Sequence, residues 1–98
     1  MSMLHLVNKS PYESNNFSTA SSIMKSGDEL LLIEDGVYAA IKGGKASAML
    51  EGCSVSVMGP DLAARGISDD KVIDGVNVID YNGFVDLVEK NDKVQSWL

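Results

Sequence analysis

The stretch Glu29-Leu30-Leu31-Leu32-Ile33-Glu34-Asp35-Gly36 sets the reading of the whole chain. Leu30 to Ile33 run together without the apolar–polar alternation of a strand that faces water on one side. The run therefore predicts a parallel strand covered on both faces. It stops at two acidic residues and a glycine. There Asp35 supplies a capping carboxylate for a short helix over Val37 to Lys42, which Gly43-Gly44 brings to an end. A second helical piece over Lys45 to Leu50 continues the layer.

On the amino-terminal side, Met3 to Val7 is short, apolar and followed by Asn8, Ser10 and Pro11, the pattern of a buried first strand and a loop. Ser14, Asn15 and Asn16 then offer capping side chains for a helix over Asn16 to Lys25. This helix puts Phe17, Ala20 and Met24 on one stripe, with Gly27 at the position that favours a left-handed residue. On the carboxyl-terminal side, Cys53 to Met58 reads as a third strand ended by Gly59-Pro60. Pro60 fits the first turn of a helix that continues through Asp61 to Ala64 and stops at Gly66. Ile67 to Gly75 reads as an irregular loop and Val76 to Ile79 as a fourth strand. Asp80-Tyr81-Asn82 leads into a last helix whose Phe84, Leu87 and Val88 are expected to face inward. Val94 to Leu98 reads as a small edge strand or a docking tail.

Strands alternating with helices over short connections imply right-handed crossovers. The expectation is one α/β domain over residues 1–98, three layers deep, with a mainly parallel sheet of 4–5 strands flanked by helices. Such sheets bind ligands beyond the carboxyl ends of their strands, which points to the loops Asn8 to Tyr12, Glu34 to Tyr38, Gly59 to Asp61 and Asp80 to Gly83.

Composition narrows the function. With 98 residues, 45% of them apolar, the chain can bury a core without metals or disulfides. Lys and Arg number 8 against 14 Asp and Glu, a formal net charge of -6, and the lysines are scattered singly. Without a basic stripe, counterion release from phosphates is not available as a driving force, so the chain is a poor candidate for direct nucleic-acid binding. One cysteine cannot form an intrachain disulfide. The amino terminus has no signal-peptide pattern, and no apolar run approaches membrane-spanning length, so a cytoplasmic protein is expected. One His and one Cys without ligand spacing give no metal site, and no cofactor motif is present. Gly43-Gly44-Lys45 fails as a phosphate loop, because Ala39 stands where a glycine is required and Ala46 where Ser or Thr is required.

Cys53 is the one candidate nucleophile. A cysteine that carries sulfur as a persulfide has to be exposed and held as thiolate by a helix N-terminus or a cation. Cys53 instead opens a strand, on the face of Val55 and Val57, and reads as a small buried hydrophobe. His5, between Leu4 and Leu6, has no partner that the sequence identifies and reads as a hydrogen-bonded core or edge histidine. Arg65, the only guanidinium, ends a short helix, where it either satisfies terminal carbonyls or clamps an anion or a partner carboxylate. Asp35, Asp61 and Asp80 form an acidic rim or act as ordinary caps. Trp97 near the chain end needs somewhere to bury: its own domain, or a subunit interface with Tyr38, Tyr81 and Phe84.

Four blocks carry a resemblance: Leu4-His5-Leu6-Val7-Asn8-Lys9-Ser10-Pro11, Glu34-Asp35-Gly36-Val37-Tyr38-Ala39-Ala40, Asp61-Leu62-Ala63-Ala64-Arg65-Gly66 and Ile79-Asp80-Tyr81-Asn82-Gly83-Phe84-Val85-Asp86-Leu87. In this order and spacing, with the Val94-Gln95-Ser96-Trp97 ending, the chain resembles the TusB/DsrH family over nearly its whole length. The resemblance implies a DsrE-like fold and a subunit that assembles with DsrE/TusD-like and DsrF/TusC-like chains into a heterohexamer. That assembly would pass persulfide sulfur to a carrier of the TusE/DsrC type, either for 2-thiolation of a tRNA wobble uridine or for dissimilatory sulfur oxidation. The family places the reactive cysteine on the TusD/DsrE subunit. Some DsrH members add a cysteine in the first helix, where this chain has Ala20, a departure that favours a TusB-like role, whereas the Val-Asn-Lys-Ser-Pro and Gly-Pro-Asp-Leu blocks look closer to DsrH. The expectation is a subunit without a catalytic residue of its own, with Tyr38, Arg65, Tyr81, Phe84 and Trp97 as interface candidates. The alternatives are a sulfurtransferase acting through Cys53 and a small-ligand binding module.

Overall fold

The computed structural model describes residues 3–10, 27–44 and 54–97. The expected helices over Asn16 to Lys25 and Lys45 to Leu50, and Cys53 itself, lie outside the described residues. Five parallel strands form one sheet in the order β4-β3-β2-β1-β5: β1 (Met3–Val7), β2 (Glu29–Leu32), β3 (Ser54–Met58), β4 (Asn77–Ile79) and β5 (Lys93–Trp97). β2 is buried at all four positions, as its unbroken apolar run requires. The tail is an edge strand, paired with β1 from Met3↔Lys93 to Val7↔Trp97.

The period of two along each strand divides the core between the two faces of the sheet. On one face, Val7, Leu30, Leu32, Val55 and Val57 pack with Val37, Ala39 and Ala40 of a 3-10 helix (Glu34–Ala40), with Leu62 of α1 (Gly59–Ala64) and with Val72. On the other, Leu4, Leu31 and Met58 meet Phe84 and Leu87 of α2 (Tyr81–Lys90). The three-layer α/β architecture is thus the one expected, and its sheet is wholly parallel.

Three local expectations need correction. The helix after β2 is not an α-helix over Val37 to Lys42 but the 3-10 segment that begins at Glu34. It ends early because Ile41 turns extended to bridge Val72, while Lys42 N–H donates to Lys71 C=O and Ile73 N–H to Ala40 C=O, both at 2.8 Å. The loop Ile67 to Gly75 is accordingly less irregular than expected: it holds a 3-10 turn at Asp69–Lys71 and is laced to the preceding layer. On α2, Phe84 and Leu87 face the sheet but Val88 does not, being 37% exposed. Gly83 explains the rotation, since a Cβ there would lie 2.8 Å from Ile79 Cβ. Its bare backbone lets that side of the helix approach the sheet and turns Val85 and Val88 outward.

Candidate functional site

The carboxyl ends of β1, β2 and β3 open into a cavity of about 250 Å³ between the helix layer and the start of α2. Leu6, Ile33, Met58 and Phe84 make it apolar, and Glu34, Asp61 and Tyr81 provide its polar lining. The strands place these residues by arithmetic. Leu6 and Ile33 share the face that α2 covers, and each is the last such position on its strand or one step beyond it. Asp80 caps α2 by accepting from Gly83 N–H at 3.0 Å, which fixes where Tyr81 and Phe84 enter.

The lip is formed by an unusual backbone. Glu34 has φ 49°, the only positive φ at a non-glycine among the described residues. A left-handed conformation at such a residue costs about 1–2 kcal/mol. It is held from both sides. Glu34 N–H donates to Asp61 Oδ2 at 2.9 Å, and Gly36 lies so close to β1 that a Cβ would fall 2.2 Å from the Val7 carbonyl oxygen. Asp61 is therefore not a helix cap as expected: Met58 holds that position in α1, and the Asp61 carboxylate fixes the lip instead. Asp35 does not cap its helix either, since Ile33 stands at the N-cap without a side-chain bond. Its Oδ1 accepts from Arg65 Nε at 3.0 Å and pairs with Nη2 at 2.9 Å. Arg65 satisfies a carbonyl of the helix end, its Nη1 reaching the Asp61 C=O at 3.2 Å, and the carboxylate it clamps is Asp35 of its own chain. Of the three acidic residues, Asp80 alone is a cap. The Glu34 carboxylate has no partner among the described residues.

Of the interface candidates, Tyr81 and Phe84 come together in this crevice, Tyr81 65% exposed and Phe84 half-buried. Arg65 lies beside it, tied to Asp35. Tyr38 is half-buried in the 3-10 helix. Trp97 packs on the opposite face of the sheet, against its own domain. Val85 and Val88, exposed at 50% and 37%, continue an apolar stripe from Tyr81 along α2.

Sequence reasoning pointed to the loop Glu34 to Tyr38 without singling out Glu34 as a site residue, and it named no partner for His5. His5 is 1% exposed, with Nε2 3.2 Å from Asp28 Oδ2 and Nδ1 3.2 Å from Trp97 Nε1. Asp28 Oδ1 also accepts from Met3 N–H at 3.0 Å. Nearby, on the α2 face, Glu29 accepts from Lys90 Nζ at 2.7 Å and Asn91 Nδ2 at 2.9 Å. Burial of the Glu29 carboxylate opposes its ionisation, but the bonds from Lys90 and Asn91 together with the Lys90 charge outweigh it, and its pKa lies below the usual 4.5. No group of three or more His, Cys, Asp or Glu suited to a metal occurs among the described residues. No helix among them is long and apolar enough to cross a membrane.

Comparison with known proteins fits this geometry to a family. The crystal structure of YchN from E. coli superposes with a TM-score of 0.83, covering 98% of each chain at 23% identity. MTH1491 from Methanobacterium thermoautotrophicum does so with a TM-score of 0.67 over 96% of each chain at 15% identity. These likenesses establish the fold. In sequence the chain is 39% identical to protein TusB of Photorhabdus laumondii and 34% identical to TusB of Escherichia coli K12, in each case over 97% of this chain and 100% of the relative. The family model for DsrH-like proteins matches residues 9–94, and with full-length TusB relatives at this identity the chain belongs to the DsrH-like family that includes the TusB proteins.

Proposed function

We propose that this chain is a non-catalytic subunit of a cytoplasmic sulfur-relay complex of the TusBCD/DsrEFH kind, one that contributes contact surface while persulfide sulfur travels on other subunits. One observation carries the reading. The crevice at the carboxyl ends of the strands, where an α/β enzyme gathers its reacting groups, is lined among the described residues by four apolar side chains, two carboxylates and a phenol, with no described thiol, imidazole or amine. That lining suits association with another chain better than sulfur transfer, in which a thiolate is the attacking group. The exposed stripe Tyr81, Val85 and Val88 runs on from the crevice. At the same end of the sheet, Asn8 Oδ1 is buried without a hydrogen-bond partner.

The kinship with TusB proteins supports 2-thiolation of tRNA wobble uridine over sulfur oxidation as the pathway, with a TusE/DsrC-type carrier downstream. The net charge of -6 accords with contact to the partner subunits and not to the tRNA itself. Co-expression with DsrE-like and DsrF-like chains from the same genome tests the assignment. Stoichiometric co-purification of all three is expected, and a stable monomer that ignores both partners would refute it.

A further inference from the structure

His5, Trp97 and Asp28 are joined from three parts of the chain: the middle of β1, the end of the edge strand β5, and the turn before β2. The donor inventory fixes the protons. An indole N–H only donates, so His5 Nδ1, 3.2 Å away, must present its lone pair, and the ring hydrogen sits on Nε2, pointing at Asp28. The ring centroids of His5 and Trp97 lie 6.3 Å apart with 23° between their planes. Apart from its backbone pairing with β1, β5 has few side-chain anchors among the described residues. Lys93, Val94, Gln95 and Ser96 are all exposed, and Trp97 is the one β5 side chain that is partly buried and packed on the core.

We infer that this triad is a proton-sensitive latch for the C-terminal edge strand. A proton taken from solvent must go to Nδ1, since Nε2 already carries one. The imidazolium keeps and strengthens its bond to Asp28, but its new N–H meets the indole N–H head-on, so the Trp97 bond breaks and the end of β5 is held less firmly, by its pairing with β1 and the remaining packing of Trp97. A proton on Nδ1 and the docked Trp97 exclude each other. The surrounding charges among the described residues do not reverse this. Asp28 is the carboxylate in contact. Lys93 is a cation on the same pleat, opposite Met3, where it is exposed. Glu29 and Lys90 pair on the other face of the sheet. Directly across from His5 the strands present Leu30 and Gln95, neither of them charged.

The chain has one Trp and one His, so the latch reports on itself. The experiment follows Trp97 emission of the full chain as the pH falls from about 8 to about 5, the range in which histidine ordinarily changes charge. The expected result is a red shift with increased acrylamide quenching, and faster exchange of the β5 amides, while far-UV circular dichroism and the β2 amides are unchanged. His5→Gln keeps an acceptor for Trp97 and a donor for Asp28 but takes up no proton, and its emission is expected to stay flat. A flat wild-type response, or the same shift in His5→Gln, would overturn the latch. So would nitrogen chemical shifts at neutral pH that place the His5 hydrogen on Nδ1, a measurement that needs no variant.

Discussion

The two ends of the sheet are built on opposite rules. At the amino ends of the strands the buried polar side chains His5, Asp28, Glu29 and Asn91 are paired. Met3 N–H and His5 bond to Asp28, and Lys90 and Asn91 bond to Glu29 across a sequence separation of about sixty residues. At the carboxyl ends, Glu34 holds a strained backbone and a carboxylate without a partner among the described residues, Asn8 Oδ1 is buried without a partner, and an apolar crevice stays open. Buried polar groups are ordinarily satisfied, and departures gather where a protein meets something else. On the proposed reading, the contrast gives stability to the amino end and contact to the carboxyl end. Each substitution below alters one end and tests whether the other is left alone.

The largest effect is expected from Asp28→Ala. It leaves the His5 Nε2–H and the Met3 N–H without their acceptor, at a cost of about 3 kcal/mol when each is charged a buried donor's usual penalty. Urea denaturation measures it. A loss below about 1 kcal/mol, the worth of an ordinary surface bond, would break the comparison.

Glu29→Gln is expected to cost about 1 kcal/mol, because the Lys90 end of the pair is 67% exposed and solvent screens it. Its signature is in the pH profile. A carboxylate whose folded pKa is lowered contributes stability that is complete above its unfolded value near 4.5 and is lost as the pH falls through the lower folded value. The variant should therefore lose less stability on acidification over that interval than the wild type. An unchanged acid limb would show that the pair contributes nothing.

At the other end, Glu34→Gly should raise stability by about 1 kcal/mol, since glycine takes a positive φ without strain. It should also weaken assembly with the partner subunits. Better folding combined with poorer association would sharpen the distinction between the two ends, whereas a loss of stability would remove it. Tyr81→Ala, at a side chain 65% exposed, should change stability by less than about 0.5 kcal/mol while lowering recovery of partners on co-purification.

How far these regions could be read in the sequence follows from how local their causes are. The apolar run Leu30 to Ile33 signals a doubly covered strand by itself, and Asp80 caps α2 because its partner, Gly83 N–H, is three residues away. The loop Glu34 to Tyr38 was legible as part of the site, but the left-handed backbone of Glu34 was not, because it is imposed by Asp61 and by the approach of Gly36 to Val7, both distant in sequence. The His5 partners escaped for the same reason: Trp97 reaches His5 only once β5 has paired with β1 in register. Val88 was turned outward by the contact of Gly83 with Ile79, which the 3.6-residue period of an isolated helix does not contain.

The central claim is that sulfur moves on other chains while this one supplies contact, and one measurement reaches it directly. A relay reconstituted from this chain and its DsrE-like and DsrF-like partners, charged with radiolabelled persulfide, is compared with the same assembly carrying Cys53→Ser. Transfer to the carrier at the wild-type rate, with no label on this subunit, is the expected result. Label held on Cys53 during turnover, together with loss of transfer in the serine variant, would contradict it.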